Sequence, residues 1–302
     1  MNNNTTGCCV PTPTKPCPDP TVWIIASIVL DGAVIATNII EFRLLIGKWK
    51  KLDRIEHLLF SLCIADLLAG VSAFTQDTYQ LKLFVELGCI NMSANAARVM
   101  DCLFIFSVLV SIFHVTAIAV ERLVAVYYPV KYTIFTTFKC KAITIVTVWM
   151  SSMVIAPAFT AMQWMTIDMP KLHYIRFAIF LTCTVVVFVA YMLLVLALVR
   201  REIMLKDMIP KEIRKYTRDR RTTVVCLLIG FSFVVCFLPY TLSAYDPQNL
   251  YHDVMNLLLT ISHILNPLIY FAKTMNEARR SRSGSTGSIL LSHSNGSNSN
   301  SK

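Results

Sequence analysis

The chain has 302 residues, of which 55% are hydrophobic and 15% are charged; its mean hydropathy is +0.58 and its formal net charge at pH 7 is +10. A soluble domain carries about 25% charged residues. The composition therefore excludes an ordinary soluble fold and favours a membrane protein, in which a basic excess faces anionic lipid rather than nucleic acid.

Residues 1–20 precede the first apolar run and are polar and rich in proline. They lack the apolar core and cleavage pattern of a signal peptide, so the first run is expected to serve as the targeting signal. We expect an extended extracellular N-terminal arm, with candidate glycosylation sites at the Asn-x-Thr sequons of Asn3 and Asn4. Four cysteines are expected on the same side, with disulfides of open connectivity: Cys8, Cys9, Cys17 and Cys89.

Seven apolar runs follow, each close to the roughly 20 residues that span the hydrocarbon core of a bilayer. They lie near residues 22–46, 56–76, 94–120, 142–163, 174–199, 223–245 and 252–272. The second and seventh are less hydrophobic than the others, so a count of six or eight stays open, but seven fits best. We predict an all-α membrane protein, a seven-transmembrane-helix bundle over residues 21–273.

The Lys and Arg residues are distributed unevenly among the segments that connect these runs. With the N-terminus outside the cell, 23 of the 28 fall in cytoplasmic segments, four fall in external segments, and Arg98 lies within the third run. Basic residues that flank a span are retained in the cytoplasm. The distribution predicts a multi-pass membrane protein whose N-terminus is extracellular and whose basic inner face contacts membrane lipid.

The segment after the seventh run divides into two parts. The stretch FAKTMNEARR has an apolar and a basic face, which is typical of a short cytoplasmic interfacial helix. The serine-rich, low-complexity stretch that follows predicts a disordered tail, either phosphorylated or simply solvated. Residues 274–302 are therefore assigned to a cytoplasmic interfacial helix and a disordered Ser-rich tail.

Polar residues interrupt four of the apolar runs. A polar side chain in a membrane helix must face a neighbouring helix or water, so a set spread over four helices indicates an internal polar cavity. The set comprises Asp31, Asn38, Asp66, Arg98, Asp101, Ser111, His114, His263 and Asn266.

Five short motifs occur in order along the runs and on the expected sides of the membrane. They are LCIADLLAG with Asp66 in the second run, Glu121-Arg122-Leu123 followed by Pro129, Trp149 with Pro157 in the fourth run, Cys236-Phe237-Leu238-Pro239 in the sixth, and Asn266-Pro267-Leu268-Ile269-Tyr270 in the seventh. Together they resemble the rhodopsin-like (class A) G-protein-coupled receptors over about residues 20–275.

The resemblance implies an activation switch at the inner ends of the third and sixth helices. Arg122 is expected to be held by Glu121 and by Asp219, which lies twenty residues before Pro239, until the sixth helix moves outward. A proline inside a helix supplies a kink for that movement. The remaining switch residues implied by the family pattern are Phe237, Pro239, Asn266, Pro267, Tyr270 and Tyr191.

The resemblance also implies an internal sodium ion, held by Asp66, Asn38, Ser111 and Asn266, because a small cation prefers oxygen ligands. His263 beside this set is unusual for the family. It is either a source of pH sensitivity or a buried neutral histidine.

Several departures from the family pattern bear on the ligand. The common disulfide cannot form because Ala97 replaces its cysteine, the loop near 164–173 is short, and the fifth run lacks proline. These features are loosely similar to melanocortin, cannabinoid and lysophospholipid receptors. Phe104 occupies the position of the monoamine-binding aspartate, so a typical monoamine would lack its counter-ion. Thr260 occupies the position of the retinal-binding lysine, so the resemblance does not extend to retinal photoreceptors.

The remaining pocket residues indicate a ligand site with apolar walls and a few polar groups, suited to a small molecule, lipid or peptide. They are Asp101, Arg98, Phe104, Val108, Phe237, Tyr240 and Asn256. For Arg98 and Asp101 a second interpretation stays open, since residues three apart on one helix face can simply pair with each other.

The resemblance implies a receptor that binds an extracellular ligand and activates a heterotrimeric G protein by outward movement of the sixth helix, with arrestin and receptor kinase as further partners. A membrane transporter with a mid-membrane polar site is the alternative, although the chain shows no internal repeat. An enzyme is not expected, because neither His114 nor His263 lies in an H-E-x-x-H or G-x-S-x-G context that would indicate a metal or nucleophile site.

Overall fold

The computed structural model describes residues 20–52, 54–88, 92–128, 132, 137–165, 169–203, 210–243 and 251–296. Within these ranges the chain forms seven long α-helices and no strand. They are α1 (Thr21–Gly47), α2 (Arg54–Leu87), α3 (Ala94–Tyr127), α4 (Phe138–Met165), α5 (Met169–Ile203), α6 (Pro210–Ser243) and α7 (Tyr251–Gly296), with a short 3₁₀ helix at Trp49–Lys51. The predicted all-α fold is confirmed.

Each of the seven helices contains a stretch long and apolar enough to cross a membrane, with a mean hydropathy between 1.5 and 2.7. Large apolar side chains cover their outward faces; Val29 is 66% exposed and Phe231 is 68% exposed. A spanning segment must satisfy its backbone hydrogen bonds internally, which a helix does. The outward apolar faces therefore suit contact with lipid, and the prediction of seven spans is confirmed.

Gly88 and Ser93 show how local sequence ends α2 and begins α3. Gly88 follows α2 with φ +68° and its amide donates to the Phe84 carbonyl at 2.9 Å. Glycine adopts this left-handed backbone without a side-chain clash. Ser93 then caps α3, because its side chain accepts a hydrogen bond from the Ala96 amide at 3.3 Å.

Helix α3 occupies the centre of the bundle. It packs against α2, α4, α5 and α6, while α7 packs against α1, α2 and α6 to close the ring. In the most apolar stretch of α3, 61% of the residues are buried, whereas 22% are buried in the corresponding stretches of α1 and α4. Side chains on α3 are therefore the ones that can contact most of the other helices.

Two helices extend beyond the predicted runs. Helix α2 continues to Leu87 rather than ending near residue 76, and α7 runs from Tyr251 to Gly296 without a break. The latter range includes the segment assigned to an interfacial helix and tail, so the boundaries 1–20, 21–273 and 274–302 stay predictions. Several predicted residues lie outside the described ranges: Asn3, Asn4, Cys8, Cys9, Cys17, Cys89 and Pro129.

Candidate functional site

The two ends of the bundle carry different groups and are named here by them. The Trp23 end holds the start of α1, the last turns of α2 and the first turns of α3; the Arg122 end holds the last turn of α3 and the start of α2. Polar side chains line the inner faces of α1, α2, α3 and α7 between these ends.

Asp66 on α2 is fully buried midway between the two ends. Its Oδ1 accepts a hydrogen bond from the Ser111 hydroxyl at 3.0 Å, and its Oδ2 accepts one from the Asn266 amide at 2.9 Å. The Nδ1 atom of His263 lies 2.7 Å from Oδ1. A buried carboxylate is stable only with such partners. The structure thus joins α2, α3 and α7 at one carboxylate and brings together three of the four predicted sodium ligands.

Asn38, the fourth predicted ligand, bonds elsewhere. Its side-chain nitrogen donates to the Val34 carbonyl at 2.9 Å and to the His263 carbonyl at 3.1 Å. The side-chain oxygens of Asn38 and Asn266 are buried without a hydrogen-bond partner. Carboxylate, hydroxyl and amide oxygens are the ligands that a hard cation prefers, so the residues fit sodium by type. The His263 ring, however, takes one side of the carboxylate, and the sodium ion stays a prediction.

Arg122 is held at the end of α3 by two acceptors. Its Nη2 donates to the Tyr132 hydroxyl at 2.9 Å and lies 3.7 Å from Glu121 Oε1. The Tyr132 hydroxyl in turn donates to Glu121 Oε1 at 2.6 Å. The Arg122 residue is only 7% exposed, so its charge is compensated by this three-residue cluster rather than by water.

Asp219 is the predicted partner of Arg122 on α6. Asp219 lies within α6, but its side chain is outside the part of the chain that the structure describes. The Arg122–Asp219 pair therefore stays a prediction, and Tyr132 is a partner that the sequence did not suggest.

Tyr270 and Tyr191 both point into the bundle. Tyr270 is fully buried and its hydroxyl donates to Glu56 Oε1 at 3.3 Å; Lys273 Nζ lies 3.4 Å from the same oxygen. The Tyr191 hydroxyl donates to the Val115 carbonyl at 3.4 Å. Glu56 thus ties the start of α2 to the middle of α7, and Tyr191 ties α5 to α3.

Phe237 lies in the core rather than in a cavity wall. It is fully buried, stacks on Phe233 with ring centroids 5.0 Å apart, and meets Phe180 of α5 edge-on at 5.7 Å. Pro239 and Pro267 both lie inside their helices, α6 and α7. The aromatic stack therefore sits two residues from the helix-breaking proline of α6.

His114, a polar residue of the third run, takes part in a structural bridge. Its Nε2 lies 2.8 Å from the Ser61 hydroxyl, which also accepts a hydrogen bond from Trp149 Nε1 at 3.0 Å. One serine of α2 thereby connects α3 and α4. Trp149 and His114 therefore have a structural role, because their side chains hold α4 and α3 against α2.

A cavity of about 480 Å³ opens at the Trp23 end, a size that suits a small ligand. Of the predicted ligand residues, Asp101, Phe104 and Asn256 line it together. Val108 instead lines a small deeper cavity of about 30 Å³ beside His263. Phe237 lies in the aromatic stack, Arg98 donates to Asn95 Oδ1 at 3.3 Å, and the Tyr240 side chain is outside the described part.

Four polar residues in or near these sites were not singled out from the sequence. Glu41 could have been identified from the sequence, because it is a carboxylate within the first apolar run. In the structure it is 2% exposed. Asp77 lines the cavity one residue beyond the predicted second run. Glu56 and Tyr132 sit at helix and loop ends, where charged and aromatic residues are common, so only the contacts identify them.

Comparison with known proteins gives one family. The family model described as "7 transmembrane receptor (rhodopsin family)" matches residues 44–270, which is most of the chain. No curated protein matches the chain.

Proposed function

The chain belongs to the rhodopsin family of seven-transmembrane receptors, and from this we propose that it binds an extracellular ligand at the Trp23 end and activates a heterotrimeric G protein at the Arg122 end. The family is generally non-enzymatic and its members are multi-pass membrane proteins. Under this proposal the N-terminus is extracellular and the receptor acts in the plasma membrane, in line with the basic residues around the Arg122 end.

The observation that carries the proposal is the buried Arg122 cluster at the end of the bundle opposite the cavity. An arginine that is 7% exposed and held by Glu121 and Tyr132 can exist in two states, bound to the helix ends or released to a partner. Release of α6 from α3 would expose the guanidinium to the G protein. Ligand binding favours that state only in proportion to its differential affinity for it.

Buried side chains between the two ends connect the helices that would move in this switch. Asp66 holds α3 and α7 through Ser111 and Asn266. A sodium ion bound to these residues would place a positive charge on the carboxylate and favour the packed arrangement. The Phe237 stack and Pro239 lie where α6 would bend. Arrestin and a receptor kinase would act on the same inner face and on the serines after residue 280.

Basal G-protein dissociation in cells, measured across G-protein subtypes without ligand, tests this function. We expect Asp219→Ala to raise the basal signal in one subtype and Arg122→Ala to abolish it, relative to wild type at matched surface level. Lys82→Ala, at an exposed residue of the Trp23 end, serves as the control. Equal signals from all variants would remove the support for this switch and make substrate transport the function to assay.

A further inference from the structure

Two carboxyl groups meet beside the cavity at the Trp23 end. The carboxyl groups of Asp31 on α1 and Asp77 on α2 lie beside each other, and the Ser27 side chain lies beside Asp77. Asp77 and Ser27 line the cavity, while Asp31 lies behind them and is 1% exposed. Two carboxyl groups in such contact need one proton between them, or a cation with hydrogen-bond donors in its place.

The second oxygen of Asp31 is an unsatisfied acceptor behind the cavity wall. Asp31 Oδ2 is buried and has no hydrogen-bond partner. A buried acceptor without a donor destabilises the folded protein, and a charged acceptor does so more strongly. A positive charge next to Asp77 would therefore stabilise the Asp31–Asp77 pair.

The rest of the cavity lining has the same preference. Among the described lining residues, Asp77 and Asp101 are acidic and none is Lys, Arg or His. Two aromatic residues, Trp23 and Phe104, complete the wall. Carboxylates bind amines and guanidinium groups through charge-assisted hydrogen bonds, and aromatic faces attract the same cations.

We propose that this cavity binds a ligand through a basic nitrogen group, an amine or a guanidinium, that pairs with Asp77 in the cavity wall and compensates the buried carboxyl group of Asp31 behind it. The inference rests on the proposed receptor function, whose ligand it narrows to organic cations. The counter-ion lies on α1 and α2, so Phe104 at the α3 position does not exclude a cationic ligand. The apolar remainder of the ligand packs on Trp23 and Phe104.

A matched pair of probes tests this in purified protein in lipid nanodiscs. The probes are 3-phenylpropylguanidine and its neutral isostere 3-phenylpropylurea, and the readout is the unfolding temperature as a function of probe concentration. We expect the guanidine to raise the unfolding temperature saturably and the urea to leave it unchanged. In Asp77→Asn and in Asp31→Asn the apparent affinity for the guanidine is expected to fall about tenfold or more.

Glu86→Gln is the control, because it removes an exposed acid of the same helix that pairs with Lys82 at 3.8 Å and does not line the cavity. Equal shifts with both probes, or unchanged affinity in both Asp→Asn variants, would overturn the proposal. If one of the two variants does not fold, the other variant and the comparison of guanidine with urea in the wild type still test the proposal. This binding test contains no G protein, so its failure is distinguishable from failure of the proposed function. If the guanidine does not bind but the basal G-protein signal in cells behaves as expected, only the cationic ligand is rejected. If the guanidine binds but the basal signal does not behave as expected, only the proposed function is rejected.

Discussion

Tyr132 is the residue on which the Arg122 cluster depends. Its hydroxyl accepts from Arg122 at 2.9 Å and donates to Glu121 at 2.6 Å, so one oxygen connects both charges. Hydrogen bonds to charged groups contribute about 1.5–3 kcal/mol each when measured by substitution. The ring adds a cation–π contact, with the guanidinium carbon 5.7 Å from its centroid.

Tyr132→Phe removes the hydroxyl and keeps the ring. If the cluster holds the receptor inactive, we expect basal G-protein dissociation to rise several-fold at equal surface expression, because Arg122 loses one of its two acceptors. Tyr127→Phe, at a 44% exposed position outside the cluster, should leave the basal signal unchanged. A basal signal at or below that of wild type would show that Tyr132 does not restrain Arg122.

His263 occupies one side of the Asp66 carboxylate, and we expect its ring to compete there with the predicted sodium ion. Its ring nitrogen lies 2.7 Å from the carboxylate, where a sodium ligand sphere would otherwise form. We expect the unfolding temperature of His263→Asn in nanodiscs to rise when sodium chloride replaces choline chloride at constant ionic strength, since an amide oxygen adds a ligand. The wild type should respond less. A sodium response in the wild type as large as in the variant would show that the ring does not compete with the ion.

Helices α5 and α6 approach each other at a glycine. A Cβ atom added at Gly230 would overlap the ring of Tyr191, so one of the two would have to move. The ring itself is buried and its hydroxyl bonds to the Val115 carbonyl of α3, so it cannot move freely. The small residue therefore allows α6 to pack on the aromatic side chain that links α5 to α3.

Gly230→Ala should separate α5 and α6 or displace Tyr191, at a cost typical of overpacking, about 1–3 kcal/mol. We expect a lower unfolding temperature and an altered basal signal. Gly32→Ala is the matched control, since nothing lies within 4 Å of its added Cβ and alanine favours helix. An unfolding temperature for Gly230→Ala equal to that of Gly32→Ala would contradict the close approach of the two helices.

The helices could be predicted from sequence more fully than their ends or contacts. The length of an apolar run reports the hydrocarbon thickness, so all seven spans were found. Hydropathy does not report where a helix stops in water, and α2 continues through Asp77 and Glu86 until Gly88 adopts positive φ. Motifs placed Asp66 and Arg122, whereas the contacts of Tyr132 and Glu56 depend on tertiary structure that one sequence does not encode in any local pattern.

At the scale of the whole molecule, polar groups extend from the cavity toward Arg122. Asp77 lines the cavity, His263 contacts Asp66 deeper in the bundle, and Asn266, which also contacts Asp66, lies one turn before Tyr270 on α7. Spatial continuity alone is not coupling, which requires an element with two arrangements that both sites bias. The groups nevertheless define where coupling between a ligand and a G protein is to be measured.

Reciprocity provides that measurement. If the guanidine probe and a G protein favour the same arrangement of α6, the G protein raises the affinity for the probe by the same factor as the probe raises the affinity for the G protein, commonly about 5- to 150-fold. We expect equal factors from both titrations in nanodiscs. The factor should shrink in Asp66→Asn, which weakens the contact between α2 and α7 but leaves the cavity lining intact. A factor of one in wild type, with both partners binding, would mean that the cavity and the Arg122 end act independently.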